Sequence, residues 1–203
     1  MRGFLHVPSN GNGDGLVLAH GAGADCRSRL LTALAGALAE RGFSVLRCDL
    51  PFRQKRPHGP PFPEGAARDR DGLRRAVEIL RAETSGRLYL GGHSYGGRQS
   101  TILASENKTL VAGLLLLSYP LHPPRKPLQL RTAHFGELNT PAFFVHGSRD
   151  PFGSFEEMTT ALKLISARTS LMEIDGGGHE LLPRSAETDI PQRIAKSFQD
   201  FIR

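Results

Sequence analysis

Residues 87–97, Arg-Leu-Tyr-Leu-Gly-Gly-His-Ser-Tyr-Gly-Gly, restrict the fold more than any other stretch of this 203-residue chain. A short apolar run at 88–90 stops at paired glycines, Ser94 stands between Gly92 and Gly96, and residues 98–105 can continue as a helix. A serine in so sharp a strand-to-helix turn takes strained backbone angles, and side chains two positions before and after it would collide, which glycines avoid. Gly97 permits close helix–strand packing. Chance alone puts Gly-x-Ser-x-Gly in roughly one chain in six of this glycine and serine content, so the flanking strand and helix carry the reading.

The remaining chain repeats strand and helix. Residues 4–7 read as a first strand, and the turn cluster at 9–15 suits a hairpin connection to the next strand, 16–20. A glycine loop, His20-Gly21-Ala22-Gly23-Ala24-Asp25, leads to a helix at 29–41 that Ser28 can cap. Further strands are expected at 43–48, 88–90, 111–117, 142–145 and 170–174, and further helices at 64–83, 155–166 and 191–202. The four prolines of residues 53–63 predict an irregular loop there. Continuous apolar strands alternating with helices predict a single α/β domain over 1–203: a mostly parallel, doubly wound sheet of about six to seven strands with helices on both faces. In such sheets ligands bind beyond the carboxyl ends of the strands, so the loops at 20–26, 49–63, 92–96, 118–127, 146–153 and 175–180 should share one edge.

Composition removes several classes. An apolar content of 39% suits a globular core, and no stretch approaches the roughly 18 apolar residues of a membrane span. The first eight residues lack the apolar segment of a signal peptide, so a cytoplasmic protein without a membrane partner is expected. Cys26 and Cys48 have neither the CxxC spacing nor the density of a disulfide scaffold and read as free thiols. The net charge of +6 is concentrated in residues 41–140 and offset by an acidic end. Aromatic and basic residues do not interleave, so no nucleic-acid partner is expected.

Ser94 is the candidate nucleophile, and a serine hydroxyl needs a base, itself oriented by an acceptor. In the chain order Ser, Asp or Glu, His, the base should follow the last strand, where His179 stands; His146 is the alternative. Asp150, in the loop after a strand, is preferred as its carboxylate, with Asp175 as the alternative. The glycine loop at 20–25 lacks both Gly-x-Gly-x-x-Gly and the Walker pattern, which disfavours a nucleotide and leaves an oxyanion-binding loop. His20 and His93 are read as structural.

Four motifs, His20-Gly21-Ala22-Gly23, Gly92-His93-Ser94-Tyr95-Gly96-Gly97, Gly147-Ser148-Arg149-Asp150-Pro151 and Gly178-His179, make the chain resemble the α/β-hydrolase superfamily over nearly its whole length. The absence of room for a large lid, with Tyr119-Pro120-Leu121-His122-Pro123-Pro124 and Arg149-Asp150-Pro151-Phe152-Gly153, is similar to a small dienelactone-hydrolase-like branch. The resemblance implies that Ser94 attacks an acyl carbon, that His179 acts as base and then acid, and that Asp150 holds His179. It further implies an oxyanion hole made by the N–H groups of Ala22 and Tyr95, with no metal or organic cofactor. Many dienelactone hydrolases carry cysteine where this chain carries Ser94.

The expected reaction is cleavage of a small ester or thioester through an acyl-enzyme. Arg53, Arg56, Arg125 and Lys126, on two loops that should meet at the open edge, predict a basic rim favouring an anionic acyl substrate. Tyr119 and Phe152 lie on the same edge as further candidate substrate contacts. The alternative is a non-catalytic scaffold or protein-binding module, which has no need to keep Ser94, Asp150, His179 and an oxyanion loop together.

Overall fold

In the computed structural model, which describes residues 1–183 and 188–203, seven strands make one sheet. They are β1 (Gly3–His6), β2 (Gly15–Ala19), β3 (Ser44–Cys48), β4 (Leu88–His93), β5 (Gly113–Leu117), β6 (Ala142–Gly147) and β7 (Thr169–Ile174), lying in the order β1-β3-β2-β4-β5-β6-β7. All pairings are parallel except that of β1 with β3. Every residue of β2, β4, β5 and β6 is buried, as continuous apolar strands covered on both faces must be.

The turn at 9–15 does not make the expected hairpin. β2 has both flanks occupied by β3 and β4, so β1 pairs instead with the free edge of β3, Phe4 opposite Arg47 and His6 opposite Val45. The turn cluster ties down the start of β3, where the Asn12 N–H donates to Gly42 O at 2.9 Å.

The helices are α1 (Arg29–Ala39), α2 (Pro51–Lys55), α3 (Ala66–Ala82), α4 (Tyr95–Glu106), α5 (Phe155–Leu162) and α6 (Ile190–Phe201). Alternate residues of each strand face opposite ways, so the sheet makes two cores. Leu16, Leu18, Leu115 and Val145 cluster with Leu31, Leu34 and Leu38 of α1 and Phe198 of α6. Val17, Leu90, Leu116 and Phe144 cluster with Leu73, Val77 and Leu80 of α3, Leu103 of α4 and Met158 of α5. Each fully buried leucine contributes about 1.5–3 kcal/mol. The sheet is therefore doubly wound, as its sequence pattern predicts.

The helix ends follow local chemistry. Ser28 Oγ accepts from the Leu31 N–H at 3.4 Å at the start of α1, and Ser154 and Glu157 form a reciprocal capping box on α5. The proline-rich stretch is less irregular than its composition predicts. Pro51 opens α2, where its missing N–H costs nothing, and Pro63 opens a 3₁₀ turn, Pro63–Gly65, that leads into α3. The segment after β5 contains the 3₁₀ turn Phe135–Glu137 and sends Tyr119, Leu121, Phe135 and Leu138 into the core.

Candidate active site

β4 ends at His93, and Ser94 follows with φ 50° and ψ −113° before α4 begins. The turn is held by the Ser94 N–H donating to Leu117 O at 2.8 Å and by the Arg98 N–H donating to Ser94 O at 2.9 Å. The flanking glycines have no room for a side chain. A Cβ at Gly92 would lie 2.3 Å from Ala19 O, and one at Gly96 would lie 2.7 Å from both Ala19 O and His20 O. The expected collision is thus with the backbone leaving β2.

Two other strand ends supply the partners of Ser94. His179 Nε2 lies 2.8 Å from Ser94 Oγ, and His179 Nδ1 lies 2.8 and 3.0 Å from Asp150 Oδ2 and Oδ1. With Nδ1–H donating to the carboxylate, Nε2 keeps the lone pair and accepts the serine hydroxyl. The loops after β6 and β7 can approach because Gly147 has no side chain; a Cβ there would lie 2.3 Å from Gly177 O. The Arg149 N–H donates to Gly177 O at 2.9 Å across the same junction.

Burial pushes the Asp150 carboxyl up, but the His179 hydrogen bond and charge, with the Phe152 N–H, outweigh it and hold the group below its ordinary range. Asp150 is therefore ionised at neutral pH, 6% exposed. The alternatives are elsewhere: Asp175 is exposed, and His146 is buried with its Nε2–H donating to Gly153 O at 2.7 Å.

Two aromatic groups fix the His179 ring and its loop, and a third shapes the loop that faces it. Phe152 packs on His179 with centroids 4.3 Å apart. His93 donates from Nε2 to His179 O at 2.8 Å, and burial lowers its pKa so that it stays neutral. His20 shapes the facing loop, its Nδ1–H donating to Gly21 O at 2.8 Å and its Nε2 accepting from the Leu50 N–H at 3.1 Å.

A cavity of about 390 Å³ opens above Ser94, between residues 21–24 on one side and Phe152, His179 and Glu180 on the other. Gly21 O accepts from both His20 and the Ala24 N–H, at 2.8 and 3.2 Å. Because the peptide is planar and trans, the Ala22 N–H must point the opposite way. The Tyr95 N–H is the first of α4, where helical donors have no internal acceptor. Neither group has a backbone acceptor among the described residues.

Of the six expected substrate contacts, the structure brings only Phe152 to this cavity. Arg53 is 2% exposed and spends its guanidinium on backbone carbonyls, because α2 turns it inward under the loop at 21–24. Arg56 lies over the Phe62 ring at 4.1 Å and donates to Pro60 O. Arg125 and Lys126 are exposed on the loop after β5 and are not among the residues lining the cavity. Tyr119 is a core residue, 1% exposed, with its hydroxyl donating to Arg131 O at 2.6 Å. Two residues escaped the sequence reading. Glu180 lines the cavity, and its place beside His179 was the available signal. Asp69, fully buried, accepts from the Phe52 N–H at 3.0 Å and from Tyr95 OH at 2.8 Å; in the sequence it looks like any acid in a first helical turn.

Among the described residues no group of three or more His, Cys, Asp or Glu side chains could hold a metal ion, and no helix is long and apolar enough to cross a membrane.

Residues 13–203 match the model of the family described as an alpha/beta hydrolase domain. The fold is shared with solved structures at low identity. Est1E from Butyrivibrio proteoclasticus, solved with ferulic acid bound, superposes with a TM-score of 0.78 at 16% identity, covering 99% of this chain and 95% of that one. A dienelactone hydrolase from Anabaena variabilis gives 0.77 at 20% identity, with coverage of 99% and 92%. A serine hydrolase without a lid from Xanthomonas campestris gives 0.70 at 16% identity, with coverage of 98% and 88%.

Proposed function

Because the chain belongs to the alpha/beta hydrolase domain family, we propose that it is a serine hydrolase that cleaves a small ester or thioester through an acyl-enzyme. The observation that carries this reading is the unbroken hydrogen-bonded series from Ser94 Oγ through His179 to Asp150 at the floor of an open cavity.

In this mechanism Ser94 Oγ attacks the acyl carbon while His179 Nε2 takes its proton. Asp150 holds the ring in the Nδ1–H tautomer and stabilises the imidazolium that forms. The Ala22 and Tyr95 N–H groups receive the charge on the carbonyl oxygen. His179 then returns the proton to the departing alcohol or thiol, and a water activated by the same nitrogen releases the acid and frees Ser94. The cavity volume of about 390 Å³ favours a short acyl group.

The test is intact-mass labelling with a fluorophosphonate beside p-nitrophenyl acetate turnover, for wild type, Ser94→Ala and His179→Ala. One adduct on wild type only, with turnover lost in both variants, is expected. A folded wild type with neither adduct nor turnover would move the chain to the scaffold reading.

A further inference from the structure

The turn after β3, residues 50–55, bonds the Ala22 peptide and reaches the Tyr95 side chain, the two residues whose N–H groups are assigned to the oxyanion. On one side, the Leu50 N–H donates to His20 Nε2 at 3.1 Å, and His20 in turn fixes Gly21 O. Arg53 on the same turn donates from Nη2 to Ala22 O and from Nε to Ala24 O, both at 2.8 Å. On the other side, the Phe52 N–H and Tyr95 OH share the buried carboxylate of Asp69. The Phe52 ring sits between these arms, 5.5 Å from His20 and 5.7 Å from Tyr95.

Arg53 is the unexpected part of this turn. It forms no ion pair among the described residues; its remaining donors go to Gly59 O and Arg56 O at 3.1 and 3.2 Å. Burying a guanidinium without a carboxylate is costly, and an apolar side chain of similar length would pack there without that cost. What only a planar fork can do is fix several carbonyls of separate loops at once. The Gly21–Ala22 peptide plane is set by His20 and Ala24, the Ala22–Gly23 plane by Arg53, and together they fix the backbone on both sides of Ala22. The guanidinium also places a full positive charge behind the loop that faces the developing oxyanion.

We propose that Arg53 is a positioning residue of the oxyanion hole, locking the Ala22 peptide toward the reacting carbonyl through its bonds to Ala22 O and Ala24 O. This rests on the serine-hydrolase reading. It assigns to Arg53 a part in transition-state stabilisation, not in binding substrate.

The experiment is steady-state kinetics with p-nitrophenyl acetate, and the rate of fluorophosphonate labelling, for wild type, Arg53→Met and Arg53→Lys, with folding checked by near-ultraviolet circular dichroism. Removing an oxyanion donor outright costs about 10²–10³ in kcat, so loosening one should lower kcat about 10- to 100-fold in Arg53→Met, with KM within about twofold. Arg53→Lys, which keeps the charge but loses the fork, should fall between. The labelling rate should drop in parallel, because the phosphonyl oxygen uses the same donors. If folded Arg53→Met keeps the wild-type kcat, or loses only KM, the inference is overturned while the hydrolase reading stands. A folded wild type that neither turns over nor labels overturns both. Should Arg53→Met fail to fold, the same comparison of kcat with KM in Arg53→Lys decides.

Discussion

His179 Nδ1 lies within 3.0 Å of both oxygens of Asp150, and this contact spans 29 residues of sequence to join the loops after β6 and β7. Its role in the proposed mechanism is to choose the tautomer. Asp150→Asn preserves the volume but presents an amide that favours the wrong ring orientation, so kcat for p-nitrophenyl acetate should fall about 10⁴-fold with KM little changed. A loss of less than tenfold would mean that the carboxylate does not orient the base.

The Phe152 ring packs against His179, with ring centroids 4.3 Å apart. An aromatic pair of this kind is worth about 0.5–1.5 kcal/mol, which corresponds to roughly 2- to 12-fold. Phe152→Ala should lower kcat/KM by that factor, and Phe152→Leu by less. Unchanged kinetics in both would show that the ring neither holds His179 nor meets substrate.

Gly96 has backbone oxygens of Ala19 and His20 within 2.7 Å of where a Cβ would sit. Gly96→Ala must therefore push β2 and α4 apart. Overpacking of this sort costs about 1–3 kcal/mol, so urea unfolding should move to a lower midpoint with the slope retained. A wild-type midpoint would show that the elbow has slack the structure does not have.

Stability should fall as pH drops below neutral. His20, His93 and His134 are all held below the usual histidine range, burial being the first cause in each, and His134 is lowered to about 4. The unfolded chain takes up protons near pH 6.5 while these folded histidines remain neutral, so the unfolded state binds more protons and is favoured as pH falls. For His134 the loss runs from about pH 6.5 down to about 4. Asp150, lowered from 3.8, loses its contribution only below that value. The melting temperature of His134→Gln should be less steep in pH across this window than that of wild type; an equal slope would assign the loss to other groups.

Neither thiol should react in the native protein. Burial comes first in raising Cys26 to about 11 and Cys48 to about 12. At pH 8 both should resist a disulfide reagent until the chain is unfolded, and esterase turnover should survive the treatment. Rapid native labelling of Cys26, or loss of turnover on its modification, would contradict this.

How far the sequence could be read varies with distance along the chain. The turn at Ser94 was legible because its chemistry is local: an apolar strand, glycines at two positions and a helix lie within a dozen residues. The parallel sheet was legible because strands buried on both faces need continuous apolar runs. The place of β1 was not, since a turn cluster says that the chain reverses but not which edge is free to receive it. The burial of Arg53 was hidden for a related reason. Arginine has the same sequence appearance in solvent and under a loop, and only the inward turn of α2 shows that Arg53 meets Ala22 and Ala24.

By itself, then, the sequence determined the alternation of elements, the elbow and the candidates Ser94, Asp150 and His179, because periodicity, steric demand and chain order are properties of neighbouring residues. Tertiary structure alone decided that Asp150 rather than Asp175 reaches His179, that Arg53 lies beneath the loop at 21–24, and that Glu180 lines the cavity. Those outcomes depend on which strand ends adjoin and how closely loops can approach, and such distances arise only when the sheet is assembled.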